Sequence, residues 1–312
     1  MKKKKHESRY VQYARLAYQL TKMVLPCYRH RNSPHTYTQP QLVACVFLGF
    51  YVDRSYRDME DWLLASEAIC QVLELNEVPS YSTLCRTFQQ LPMMQLRFLM
   101  RKLLRWLGVS ESAMVVDSTG LMTRHASQHY LSRTGRMMSD YVKAFYVVGV
   151  ESQYIVGWHY ARGPGGADAQ YLNQLRLAAH PYAVKQSGRR EWVLLGDKGF
   201  EGSQTRADDL IAPRQGQHRV VRQDRLERLD LTSQARLDGF LGQRWKIETV
   251  ISVMKRKSGD SLRSCTVRLH RHEVALKALV YNLHRSLTLL FFLLFHFATE
   301  QPKRTFFPQT DA

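Results

Sequence analysis

Acidic residues are scarce in this chain, and two of them recur in one setting. Asp117 closes the apolar run Ala113-Met114-Val115-Val116 and precedes Ser118-Thr119-Gly120, while Asp197 follows Val193-Leu194-Leu195-Gly196 and precedes Lys198-Gly199-Phe200. Each reads as a carboxylate at a strand end beside a turn. A lone aspartate so placed is commonly a turn residue or a helix N-cap, but two in matching settings point to shared chemistry. On neighbouring strands they repel unless something positive separates them, and hard oxygen ligands suit Mg2+ or Mn2+.

A third acid, Glu248, stands in the frame Arg244-Trp245-Lys246-Ile247-Glu248-Thr249-Val250-Ile251-Ser252-Val253-Met254-Lys255. On a helix, positions 244, 248, 252 and 255 share one face, so Glu248 projects between Arg244 and Lys255. Taken alone, this is also the pattern of an Arg to Glu pair on a solvated helix.

The elements that must position these groups read as two kinds. From Gln41 the apolar spacing is helical, and Ser55 with Asp58 resembles a capping box opening a second helix through Trp62 and Leu64. Pro79-Ser80 precedes a further amphipathic stretch, giving a helix-turn-helix pattern in which Arg86, Gln89 and Gln90 are candidates for DNA contact or for an ordinary surface helix. Around Leu107-Gly108-Val109 the pattern changes to short apolar runs: Ala113 to Val116, Tyr141 to Val150, Tyr154 to Trp158 and Trp192 to Leu195. One long helix or two abutting ones are expected from Leu231 to Lys257, and another from Glu273 to Arg285. The expected organisation is a basic helical N-terminal domain (1–108), a mixed α/β catalytic domain (109–285), and an apolar C-terminal helix and tail (286–312). The run Leu287 to Ala298 is shorter than the roughly 18 residues a membrane span needs, so a core or oligomer-contacting helix is expected.

With 45 Lys+Arg against 27 Asp+Glu among 312 residues, the net charge is +18. A polyanion is the natural partner, and nucleic acid fits best. Nine of the basic residues fall in positions 1–36, beside the single acid Glu7, which suits a phosphate-tracking arm or a solvated helix face. The five cysteines form no C-x-x-C pair and read as reduced, buried small hydrophobes. The basic N-terminus has no apolar signal segment, so a cytoplasmic, nucleoid-associated protein is expected. His125 and His129 have a spacing that zinc sites use but lack a third soft ligand nearby. Trp245 suits either base stacking or the core.

These motifs together resemble the DDE transposases of bacterial insertion sequences, in the group with the signature Y-x2-R-x3-E-x6-K. Here that frame reads Leu241, Arg244, Glu248 and Lys255, and the stretches around Asp117 and Asp197 resemble the family's first and second acid motifs. The likeness runs from about residue 40 to 285. It departs from the signature at Leu241, where the family carries tyrosine.

The resemblance implies a ribonuclease-H-like fold, with the first acid on the first strand, the second after the fourth strand and the glutamate on a following helix. It implies Asp117, Asp197 and Glu248 as catalytic residues and as ligands of two Mg2+ or Mn2+ ions. The implied reaction is cleavage at the element's ends and transfer of the 3′-hydroxyl into target DNA. Arg244, Lys255, Lys198 and Arg86 are the expected DNA contacts, and pairing of two DNA ends implies a homodimer or higher assembly. A DNA nuclease without strand transfer, or a non-catalytic DNA-binding derivative, stands as the alternative.

Overall fold

In the computed structural model, the described residues are 7–29, 32, 34–123, 141–162, 167–184, 192–206, 208–213 and 223–299, with side chains to 288. The chain opens with six helices: α1 (Arg9–Val24), α2 (Gln39–Tyr51), α3 (Tyr56–Leu64), α4 (Glu67–Val72), α5 (Tyr81–Gln90) and α6 (Met93–Trp106). Their starts are written in the sequence. Thr38 and Gln41 form a reciprocal capping box on α2, and Ser55 and Ser80 accept from the backbone N–H of Asp58 and Thr83 on α3 and α5. At Ser55 the expected box takes a different form, since the Asp58 carboxylate accepts from the Ser55 hydroxyl at 2.8 Å. The basic N-terminal segment is not simply an arm. From Arg9 it is an amphipathic helix that buries Tyr13, Ala14, Ala17 and Leu20 against α2.

Gly108, at φ +63°, turns the chain out of α6 in the left-handed conformation glycine tolerates. The sheet follows, with β1 (Ala113–Thr123), β2 (Tyr141–Gly149), β3 (Ile155–Arg162), β4 (Val193–Gly196), β5 (Leu210–Ile211) and β6 (Ser261–Leu262). Its order is β3-β2-β1-β4-β5, with β6 pairing the far end of β1. The first three strands form an antiparallel meander, and β4, β5 and β6 join in parallel. Between β3 and β4 lies α7 (Leu172–Ala179), and after β5 come α8 (Gln223–Leu237), α9 (Trp245–Ser258) and α10 (Val267–Thr299). A mixed sheet flanked by helices behind a helical N-terminal region is the ribonuclease-H-like arrangement the sequence led us to expect.

Two expectations about elements need correction, and a third is decided between its alternatives. β1 does not stop at Val116 but runs to Thr123, because β2 keeps pairing with it as far as Met122 opposite Tyr141. Asp117 therefore lies within a strand. Of the one long helix or two abutting ones expected at 231–257, the chain forms two, parted where Gly239 takes φ +73° and a short 3-10 turn (Phe240–Arg244) follows. The separate helices expected at 273–285 and beyond 286 are one continuous α10, since neither Pro nor Gly interrupts the chain from Val267 to Thr299. Among the described residues, no helix is long and apolar enough to cross a membrane.

The N-terminal helices and the sheet bury their apolar faces in one common core. α10 joins them, packing on α1, α2, α6, α9 and β3. Its Asn282 acts as a substitute strand: the side-chain carbonyl accepts from the Ile155 N–H at 2.9 Å and the amide donates to the Ile155 carbonyl at 2.8 Å. Both residues are buried. An Asn282→Ala substitution should thus strand two backbone groups at roughly 1–3 kcal/mol each. A lowered urea midpoint would register that loss, and an unchanged midpoint would show that the pairing contributes nothing.

Candidate active site

Two strands running in parallel register bring the aspartates together. Ala113, Met114, Val115 and Val116 of β1 stand opposite Val193, Leu194, Leu195 and Gly196 of β4, so the next residues along the two chains are Asp117 and Asp197. Gly196 permits the close approach. A Cβ there would lie 3.0 Å from Val116 Cγ1 and 3.1 Å from Ile211 Cγ1. After Gly196 the second chain leaves the sheet through a 3-10 turn (Lys198–Phe200), which Asp197 caps by accepting from the Gly199 N–H at 3.3 Å. Asp117 stays in the sheet, half-buried, and accepts from the Ser118 N–H at 2.7 Å. The N-cap reading thus holds for Asp197.

Helix α9 brings the third acid. Ile247, Val250, Ile251 and Met254 are its buried face, directed to the sheet and α10, which leaves Glu248, Ser252 and Lys255 along the open edge. With Asp117 and Thr119 of β1 they line a cleft of about 640 Å3. Lys255 reaches across to donate to the Gly120 carbonyl at 3.1 Å. Arg244, in the 3-10 turn before α9, is half-buried.

The Asp117 carboxyl is held above its ordinary value, chiefly by burial and further by the negative fields of Asp197 and Glu248. The Ser118 N–H and the Arg244 guanidinium pull the other way. Asp197, Glu248 and Arg244 thus each act on Asp117, although Asp197 and Glu248 are themselves exposed. Carboxylate oxygens facing a half-buried, electrostatically crowded aspartate are a donor set that a hard divalent cation suits. Asp117 and Glu248 line the cleft and Asp197 stands outside its lining, and no group of three or more His, Cys, Asp or Glu among the described residues is gathered so as to hold a metal ion.

Of the remaining expected contacts, Lys198 is exposed beside Asp197. Arg86 is not brought to the acids; it lines a separate groove with Arg29, Tyr37 and Gln90. Leu241, at the position of the signature tyrosine, is half-buried against the edge of the core. Trp245 is 54% exposed, not a core residue, because it opens α9 at the helix's solvent end. Of the cysteines only Cys45 is fully buried, while Cys27 and Cys265 are exposed; all are free thiols. His125 and His129 lie outside the described residues.

One neighbouring group escaped the sequence reading. Asp168 accepts from the Ser118 hydroxyl at 3.1 Å and is ion-paired with Lys143 of β2. A Cβ on Gly199 would fall 3.6 Å from an Asp168 oxygen and 3.9 Å from an Asp197 oxygen, so Asp168 adjoins the second aspartate. It follows no apolar run, and its only sequence signal was the scarcity of acids.

The raised Asp117 carboxyl has a direction for stability. A carboxyl that holds its proton more tightly folded than unfolded costs stability as pH climbs from its ordinary range through the raised value. Asp117→Asn should therefore melt higher than the parent at neutral pH in chelator-containing buffer, with the gap closing once pH falls below the ordinary aspartate range. Melting curves across pH test this, and a gap that persists at low pH would contradict it.

Residues 109–283 match the family model described as the transposase DDE domain. No curated protein matches the chain significantly. The matched span contains β1 with Asp117, Asp197 after β4 and Glu248 on α9. Domains of this family generally use divalent metals and act on DNA. The chain belongs to the DDE transposase family.

Proposed function

We propose that the protein is a transposase that cleaves DNA at the ends of an insertion sequence and joins the freed 3′-hydroxyl to target DNA, with Asp117, Asp197 and Glu248 as its catalytic residues. The observation that carries this is the parallel register that sets Asp117 beside Asp197, within the field of Glu248. The three carboxylates would hold two Mg2+ or Mn2+ ions, which supply activation of the attacking oxygen and stabilisation of the leaving oxygen in an in-line displacement.

The chain's own residues position and balance charge. Arg244 offsets part of the charge around Asp117, and Arg244 and Lys255, the latter lining the cleft, would hold the phosphates flanking the scissile one. Lys198 offers a further cation beside Asp197. In the first step water attacks phosphorus and the bond to O3′ breaks, leaving a 3′-hydroxyl and a 5′-phosphate. In the second, that hydroxyl attacks a target phosphodiester, forming one P–O bond as another breaks. The number of phosphodiester bonds is conserved in joining, so no nucleotide energy source is required, in keeping with a sequence that has no phosphate-binding glycine loop. The basic helical region 1–108, Arg86 included, would bind the element's ends, and joining two ends calls for at least a dimer.

End-containing DNA incubated with Mg2+ should be nicked and then joined to a target. Asp117→Asn, Asp197→Ala and Glu248→Gln should each lower cleavage by at least on the order of 100-fold, the scale that misplacing a reacting group by an ångström carries. Cleavage that survived both Asp197→Ala and Glu248→Gln would sink the site assignment. Nicks without joined products would make the protein a nuclease, and DNA binding without nicks a non-catalytic derivative. Mg2+ or Mn2+ should also raise the parent's melting temperature, and raise that of Asp117→Asn less.

A further inference from the structure

A second groove lies at the opposite edge of the antiparallel meander, where α6, β3 and the first turns of α10 meet, and encloses about 480 Å3. Arg97 and Arg101 enter it from α6, and Arg268 and Arg271 from α10. All four are exposed, and no acidic residue lines the groove. Among the described residues none of the four is ion-paired; Arg268 donates only to the Gln89 carbonyl, at 2.9 Å. Four like charges at one concavity repel each other, so a fold that keeps them together without carboxylates leaves a site of strong positive potential.

Two aromatic rings in the groove, Phe98 and Tyr160, are already engaged. Arg101 stands 6.0 Å from the Phe98 ring centre and Arg271 5.9 Å from that of Tyr160. A guanidinium over a ring face is held in a defined direction, which limits the rings' use as stacking platforms and turns them into props for the arginines. Convergence shows again at His159, whose imidazole is held below its ordinary value by burial first, then by Arg271 and Arg97. A neutral His159 leaves the groove's charge to the arginines.

Strand register fixes where this groove lies relative to the carboxylates. Trp158 of β3 pairs with Tyr146 of β2, which pairs with Asp117; Tyr160 likewise connects through Ala144 to Thr119. The groove thus stands level with Asp117 and on the same face of the sheet, two strands away, or about 10 Å at ordinary strand spacing. That separation is within the footprint of a single DNA duplex.

We propose that the Arg97–Arg101–Arg268–Arg271 groove is a second DNA site, which grips the sugar-phosphate backbone of duplex DNA beside the carboxylate cleft and makes no base contacts. It goes beyond the reaction assigned to the acids and does not require that reaction, since backbone binding needs neither metal nor cleavage. The test is equilibrium binding of the full chain to a duplex oligonucleotide in EDTA, measured by fluorescence anisotropy over a range of salt. Arg97→Ala/Arg271→Ala should weaken binding and reduce the slope of log affinity against log salt by roughly 1.8, the counterion release of two phosphates. Arg206→Ala/Arg236→Ala, which removes the same charge from exposed sites outside the groove, should leave the slope nearly unchanged.

Equal slopes for parent and groove variant, or equal losses in both double variants, would overturn the proposal. A loss confined to single-stranded oligonucleotide would replace it with base stacking. Loss of polyglutamate binding with DNA binding intact would give the groove to an acidic protein. Unchanged melting of the groove variant in the same buffer guards against misfolding. Because no cleavage is measured, a failure here leaves the active-site assignment standing, and a failure of the nicking assay leaves this result readable.

Discussion

Strand β1 has one neighbour that runs its whole length and another that does not. β2 pairs with it from Met114 to Met122, while on the other side β4 ends at Gly196 and β6 takes up pairing only at Met122. Between those partners, residues 117–121 have no strand on one side among the described residues. Backbone polar groups there need other partners, and the Gly120 carbonyl finds one in Lys255. The same gap lets Asp117 be held rigidly in a sheet while its carboxylate faces an open cleft. A longer β4 would close the gap and carry Asp197 into the ladder.

The third acid depends on how firmly α9 is seated, and that is decided at the helix's far end. Lys277 of α10 is fully buried and donates to the Ser258 and Gly259 carbonyls that α9 leaves open. Burial pulls its amine down to about 8, against the favourable field of Glu273. Glu273 in turn accepts from the Arg263 and Ser264 N–H groups, fixing the turn after β6. Beyond that turn, Arg263 is ion-paired with Asp53 in the loop between α2 and α3. The N-terminal helices are thereby coupled to the end of the helix that carries Glu248.

Much of this was legible in the residues. The apolar runs located four strands, Ser55 and the Pro79-Ser80 break located helix starts, and the rarity of acids in a +18 chain singled out Asp117, Asp197 and Glu248 as candidates. These are local signals, in which the side chain's type and spacing carry the information. The misreadings have a common cause. Strand length at Asp117 was set by a partner strand distant in sequence, and exposure of Trp245 by the position of its helix end. Neither is written in neighbouring residues.

Chemical type and periodicity by themselves determined which acids are candidates, the basic surplus and a helical region preceding a mixed sheet, because each depends only on local composition. Which acids meet, and on which side of the sheet, was decided by the tertiary structure. Register between β1 and β4 is a long-range pairing, and shifting it by one residue would turn one aspartate to the other face. The same holds for Asp168, which reaches Lys143 and Ser118 only through the fold, and for the four arginines of the edge groove, drawn from segments more than 160 residues apart. Charge neighbours separated along the chain by that distance leave no pattern that a sequence can display.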